Sequence, residues 1–138
     1  MLSAQVERLR DAINSHDAAR VADCFAENYQ CDTPMHPSRS FTGRARVQEN
    51  YRAIFARIPD LRATVLRSCQ GESAVWSEWE MSGTSEGGTP SVIAGLVIIL
   101  SVVNEHIEHT RFYLDAVSRS VRPESISFVP ELVWRAST

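Results

Sequence analysis

The spacing of apolar residues divides the chain into a helical first half and a strand-forming second half. Val6, Leu9, Ala12 and Ile13 keep helical spacing, which predicts an amphipathic helix over residues 3–14. Asn14-Ser15-His16-Asp17 interrupts it and places Asp17 to cap a second helix, whose apolar stripe is Ala18, Val21, Ala22 and Phe25. Tyr29 to Thr33 reads as a short strand stopped by Pro34 and Pro37. After the turn Phe41-Thr42-Gly43-Arg44, Thr42 is placed to cap a third helix running to Arg57, with Val47, Tyr51, Ile54 and Phe55 on its inner side. Ile58-Pro59-Asp60 ends that helix, because the residue before a proline is pushed out of helical geometry.

From Leu61 the pattern changes to strands separated by turn residues. Strands are predicted over 61–68, 74–84 and 91–103, with Gly71-Glu72-Ser73 and Ser85-Glu86-Gly87-Gly88 as the turns between them. Ser91 to Val103 is apolar on both sides, as expected of a central strand, and Asn104-Glu105 turns it into a last strand from His106. Three helices followed by a four-strand meander predict an α+β fold, with the helices on one face of a bent sheet.

The last strand carries the densest chemistry. Strict alternation puts Ile107, His109, Arg111, Tyr113 and Asp115 on one face, and Glu108, Thr110, Phe112 and Leu114 on the other. A base, a cation, a phenol and a carboxylate in one row are costly to bury unless paired, but suit the wall of a wet pocket. On the second strand Trp76, Glu78 and Glu80 share a face, while Ser77, Trp79 and Met81 take the other. Two carboxylates so spaced can raise each other's pKa and divide acid and base roles; the plainer alternative is an ion pair of Glu78 with Arg111. His36, in Pro34-Met35-His36-Pro37, adds a group able to shuttle protons. Tyr29, Cys31 and Thr33 share one strand face and are expected to line the same cavity.

Composition narrows the classes of function. At 138 residues the chain is expected to form one domain, and its net charge of −3 argues against nucleic acid as a partner. No apolar run is long enough to span a membrane, and the N-terminus lacks the pattern of a signal peptide, so a cytoplasmic protein is expected. Its three cysteines, Cys24, Cys31 and Cys69, show no zinc-like spacing and read as reduced thiols. On a strand, His106 and Glu108 point away from His109, so no metal site is expected there. All fourteen basic residues are arginine, which excludes a Schiff-base lysine and hints at a GC-rich bacterial genome. No phosphate-binding loop or nucleophile elbow is present.

Asn14-Ser15-His16-Asp17, Phe41-Thr42-Gly43-Arg44, Ile58-Pro59-Asp60-Leu61, Val75-Trp76-Ser77-Glu78-Trp79 and Arg111-Phe112-Tyr113-Leu114-Asp115 resemble the SnoaL-like branch of the nuclear-transport-factor-2-like superfamily. The resemblance implies a cone: a curved, mostly antiparallel sheet wrapped on three N-terminal helices, enclosing a pocket and pairing through its outer side. It covers a SnoaL-like domain over residues 1–117, leaving 118–138 as an extension. Ile126, Phe128, Val129, Leu132, Val133 and Trp134 make that extension too apolar for a solvated tail, so packing on the domain or on a partner is expected.

The fold hosts many activities, so chemistry must be argued from the site. By resemblance, the ketosteroid isomerase positions fall near Thr33, Leu9 and Ile98, which cannot do that job. The carboxylate–arginine arrangement of limonene epoxide hydrolase is replaced by Glu78 and Glu80, with Arg111 as the available cation. The acid/base aspartate of SnoaL-like cyclases falls at Asp115, while its helping histidine falls near Ser101. The expectation is therefore a cofactor-independent enzyme acting on an oxygenated, largely apolar small molecule. Asp115, Arg111, Glu78 and His36 are the candidate catalytic residues, and Trp76, Tyr113, Tyr29, Tyr51, Thr33 and His109 the substrate-binding ones. The alternatives are a ligand-binding dimer without chemistry, epoxide-hydrolase-like water activation by Glu78, Glu80 and Arg111, and a structural dimer whose polar row is a satisfied salt-bridge network. The expected homodimer face bears Trp79, Phe112 and Leu114.

Overall fold

The structure, a computed structural model, describes residues 3–118. Helix α1 (Ala4–Asn14) begins where Ser3 Oγ accepts from the amide of Val6, and buries Val6, Leu9, Ala12 and Ile13. Asp17 caps the short helix α2 (Ala18–Ala22) as predicted, accepting from the amides of Ala19 and Arg20. The second helix ends earlier than its apolar stripe suggests, because Phe25 already belongs to β1 (Phe25–Asp32). A short 3-10 turn (Pro37–Arg39) and the two-residue strand β2 (Phe41–Thr42) lead into α3 (Arg44–Arg57). Gly43 rather than Thr42 is the N-cap residue of α3; its φ of 98° is a conformation that favours glycine. Strands β3 (Arg62–Gln70), β4 (Val75–Ser85), β5 (Thr89–Val103) and β6 (His106–Ala116) form the expected meander.

Among the described residues the sheet has six strands, in the order β2-β1-β6-β5-β4-β3. The first strand therefore inserts beside the last, in parallel, with Cys31 opposite Thr110 and Asp32 opposite Arg111. This pairing joins residues far apart in sequence and extends the predicted four-strand meander on one side.

The inner face of the sheet is fixed by its large buried side chains. Trp79 is 1% exposed, and its Nε1 donates to Ser77 Oγ at 2.8 Å, which in turn donates to the Val97 carbonyl at 3.0 Å. The indole N–H is thus satisfied inside an apolar core. Tyr29, equally buried, is joined to the Thr110 hydroxyl at 2.5 Å and packs tilted against Phe25, the ring centroids 4.4 Å apart. Val47 of α3 is buried, whereas Tyr51, Ile54 and Phe55 pack half-buried against the same cluster as Ile93, Phe112 and Leu114. At Gly95 the φ is 146° and a Cβ would run into the Tyr113 carbonyl, so β5 and β6 approach here as closely as they do only because the residue is glycine.

The corner between α1 and α2 straps the helices to the sheet. Asn14 Nδ2 donates to the Ala63 carbonyl at 3.0 Å, and Asn14 Oδ1 accepts from the Ala63 amide at 2.7 Å. Next to it, His16 takes a positive φ of 59°, with Nε2 2.6 Å from the Leu61 carbonyl and its ring against Phe55. The phrase Asn14-Ser15-His16-Asp17 thus has a local structural role: it ends one helix, starts the next and occupies the open edge of β3. At the other end the Val117 amide donates to the Val92 carbonyl. The apolar positions of the C-terminal extension, Ile126 to Trp134, lie outside the described residues.

Replacing Asn14 by alanine leaves both backbone groups of Ala63 without their partner. Urea unfolding of Asn14→Ala is expected to show a loss of about 1–3 kcal/mol with an unchanged slope. A loss below about 0.5 kcal/mol would mean that water replaces the strap at no cost.

Candidate functional site

The two faces of β6 are the reverse of the expectation. Thr110 is fully buried, and Phe112 and Leu114 pack on the core. Register shifts around Ser101 let Ile107 and Thr110, three residues apart, both point inward. His109, Arg111, Tyr113 and Asp115 therefore stand on the outer face, away from the helices. Cross-strand pairing carries the same parity over the sheet: Ser77 faces Val97 and Phe112, and Trp79 faces Gly95 and Leu114, all on the core side. Trp76, Glu78 and Glu80 are outward with the β6 row, and Trp76 is 47% exposed. The expected outer surface of Trp79, Phe112 and Leu114 is thus interior, and the expected chemical wall is exterior.

The structure nevertheless brings together two candidates named separately from the sequence. β1 ends opposite Arg111, so the loop after it runs beside the last residues of β6. There His36 Nε2 lies 2.8 Å from Asp115 Oδ2, with 34% and 44% of the two side chains exposed. Asp115 Oδ1 accepts from the Ala116 amide at 2.8 Å. The hydrogen bond from His36, then the Ala116 amide and the charges of His36 and Arg39, hold the Asp115 carboxyl below the usual carboxylate range. A carboxyl pKa raised by burial, as a base of the expected kind requires, is therefore replaced by a lowered one. Thr33 shapes the loop rather than a cavity wall: its hydroxyl donates to the His36 carbonyl at 2.7 Å, and its amide donates to Ser40 Oγ at 3.0 Å.

A second pair of the same kind lies further along the row. His109 Nε2 is 2.8 Å from Asp32 Oδ2, and Gln30 donates to Asp32 Oδ1 at 3.0 Å. Those two bonds, Gln30 first, lower the Asp32 carboxyl. Asp32 was not legible as a site residue, because its partner comes from the parallel β1–β6 pairing. Between the pairs, the Arg111 guanidinium lies over the Tyr113 ring, 5.8 Å from its centroid.

The remaining candidates separate. Glu78 Oε1 accepts from Arg67 Nε at 2.8 Å, so the expected ion pair with Arg111 is not formed and Arg67 is the cation instead. Glu80 is exposed on the same face and adds no third member to that pair. Tyr29 is a core residue whose phenol pKa is raised well above its usual value by burial. Burial likewise raises the phenol of Tyr51, which keeps partial exposure on the inner side beside Phe55. Cys24 and Cys31 are buried, with burial raising both thiols, while Cys69 is exposed.

Chemically, the outer row offers two imidazoles, each tied through Nε2 to an ionised carboxylate. Neither His36 Nδ1 nor His109 Nδ1 has a hydrogen-bond partner among the described residues. A carboxylate that accepts the Nε2 proton fixes the tautomer and leaves Nδ1 as the basic atom. Such half-exposed pairs contribute little to stability.

Comparison with known proteins agrees with the fold. The model of the SnoaL-like domain family matches residues 6–109. A protein from Catenulispora acidiphila with a ketosteroid isomerase-like fold, solved in complex with trimethylamine, superposes with a TM-score of 0.71 at 16% identity, over 82% of this chain and 87% of that one. A putative isomerase from Bacillus subtilis gives 0.70 at 17% identity, over 80% and 84%. An NTF2-like protein of unknown function from an Exiguobacterium species gives 0.69 at 15%, over 81% and 98%. Among proteins of curated function, none matches the sequence. Among the described residues no helix is long and apolar enough to cross a membrane. The extent of the family match, together with the curved six-strand sheet, makes this chain a member of the SnoaL-like domain family.

Proposed function

We propose that the protein is a cofactor-independent enzyme that moves a proton on an oxygenated, largely apolar small molecule, with His36 as the base and Asp115 as the group that positions it. The observation that carries this reading is the 2.8 Å bond from His36 Nε2 to Asp115 Oδ2 at the sheet rim. Asp115, ionised, holds the ring and fixes its tautomer. His36 Nδ1 takes a proton from a carbon next to a carbonyl, and the imidazolium so formed is paired with the carboxylate. Returning the proton to another carbon completes an isomerisation; attack of the enolate on a second carbonyl of the same molecule would instead close a ring, with the new alkoxide taking the proton back from the imidazolium. Arg39, whose charge acts on Asp115, is the cation available to the developing oxyanion. The His109–Asp32 pair, Arg111 and Tyr113 continue the polar row along which a substrate's oxygens would lie.

A second reading, a ligand binder without chemistry, is favoured by one observation. The half-buried side chains packed on the core, among them Phe41, Tyr51, Ile54, Ile93, Phe112 and Leu114, give the inner side an apolar surface with one phenol. A ligand held there would be bound but not deprotonated.

The two readings part on exchange of carbon-bound protons. With a panel of apolar β-keto esters in deuterium oxide, the protein is expected to accelerate loss of the α-proton signal. His36→Gln should slow it by about 100-fold or more, and Asp115→Asn should slow it by a similar factor. Absence of exchange above buffer across the panel, or full exchange by His36→Gln, would overturn the enzymatic reading.

The same proposal pairs two copies through the outer face, in place of the interior residues first expected there. Trp76 and Leu96, 47% and 38% exposed, flank the buried Ile98 in a strip along β4 and β5. Exposed apolar side chains in one strip, bordered by the Arg67–Glu78 pair, have the character of an interface core with a polar rim. Sedimentation equilibrium is expected to give a dimer for the native protein and a monomer for Trp76→Glu. A native monomer at every concentration, or a dimer indifferent to the substitution, would refute it.

A further inference from the structure

A cleft opens on the side of the molecule where the corner of α1 and α2 meets the edge strand β3. Its volume is about 530 Å³, and Arg10, Asn14, Arg20, Arg62, Thr64 and Val65 are among its lining residues. That volume falls in the range of about 300–1,000 Å³ usual for small-molecule sites. None of the residues proposed for catalysis lines it.

The charge balance of the cleft is lopsided. Among the described residues its one carboxylate, Asp11, is taken by Arg10, with Oδ1 2.9 Å from Nη2 and 3.0 Å from Nε. Arg20 and Arg62 have no ion pair or side-chain hydrogen bond among the described residues. Two uncompensated guanidiniums therefore face one cleft in a chain whose net charge is −3. The C-terminal end of α1 disfavours an anion, an effect lessened here because the amides of Ser15 and His16 take the carbonyls of Asp11, Ala12 and Ile13. Thr64 adds a hydroxyl. Val65 shares the orientation of Ala63 on the edge of β3, so its amide points out of the sheet toward the cleft.

We infer that this cleft is a binding site for a small dianion, such as a phosphate monoester or a dicarboxylate, held between Arg20 and Arg62. Each guanidinium is a planar fork that takes two oxygens of a phosphate or carboxylate. An added peptide strand fits the place less well than a small molecule, because the Asn14 side chain already occupies the amide and carbonyl of Ala63 where such a strand would pair.

The test is calorimetric titration of the full chain with inorganic phosphate and, separately, with succinate, at low ionic strength and without competing anions. Saturable one-to-one binding of at least one probe is expected, weakened at least tenfold in Arg20→Ala/Arg62→Ala and unchanged in Arg67→Ala. Binding of phosphate alone would assign a phosphoryl ligand, and binding of succinate alone a dicarboxylate. Both arginines are exposed, so unchanged melting of the double variant is expected and separates lost binding from lost fold. No saturable binding of either probe, or equal binding by the double variant, would overturn the inference. So would an equal loss in Arg67→Ala, which would indicate attraction by any surface arginine.

Discussion

The parity of the sheet is the constraint on which the other features depend. Trp79 and Tyr29 are the largest of the fully buried side chains, and each has its polar atom satisfied in the core, by Ser77 and by Thr110. Once those two point inward, the pleat sets the direction of their neighbours in β1, β4, β5 and β6 wherever the ladder is unbroken. Phe112 and Leu114 follow Trp79 and Val97 into the interior. Arg111, Tyr113 and Asp115 are sent outward together with Asp32 and Glu78. The chemical character of the outer face is thus a consequence of how the core is filled.

Much of this was legible in the sequence, because helices and strands announce themselves by period. Asp17 as a cap, the amphipathic stripe of α1 and the strand boundaries from Arg62 onward needed only local information. What escaped was non-local. Alternation counted from Ile107 assumes an unbroken ladder, but the register shifts around Ser101 put Ile107 and Thr110 on one face. The polar row reads as the wall of a wet pocket, because unpaired charges are costly in a core, whereas it stands on the outer face of the sheet. The His36–Asp115 contact and the role of Asp32 were equally out of reach, because both depend on β1 inserting beside β6 after a long crossover. The candidates themselves were recognisable by type; their pairing was not.

The family's fold separates scaffold from chemistry in an instructive way in this chain. The interior is held by apolar packing and two satisfied hydroxyl networks, with Asn14 fastening the helical corner to the sheet edge. The half-exposed histidine–carboxylate pairs lie outside that interior, where their loss would leave the core intact. A loop that contributes His36 and a strand that contributes Asp115 meet at the rim. The positioning there comes from local bonds, from Thr33 to the loop carbonyl and from Ala116 to the carboxylate.

The central claim is that Asp115 fixes His36 with its proton on Nε2 and its lone pair on Nδ1. The most direct measurement is the pair of imidazole ¹⁵N chemical shifts of His36, read by long-range proton–nitrogen correlation through its pH titration. The account predicts a neutral form with a protonated Nε2 and an unprotonated Nδ1, and a more even tautomer mixture in Asp115→Asn. A neutral form that is unprotonated at Nε2, or a tautomer ratio unchanged by the substitution, would contradict it.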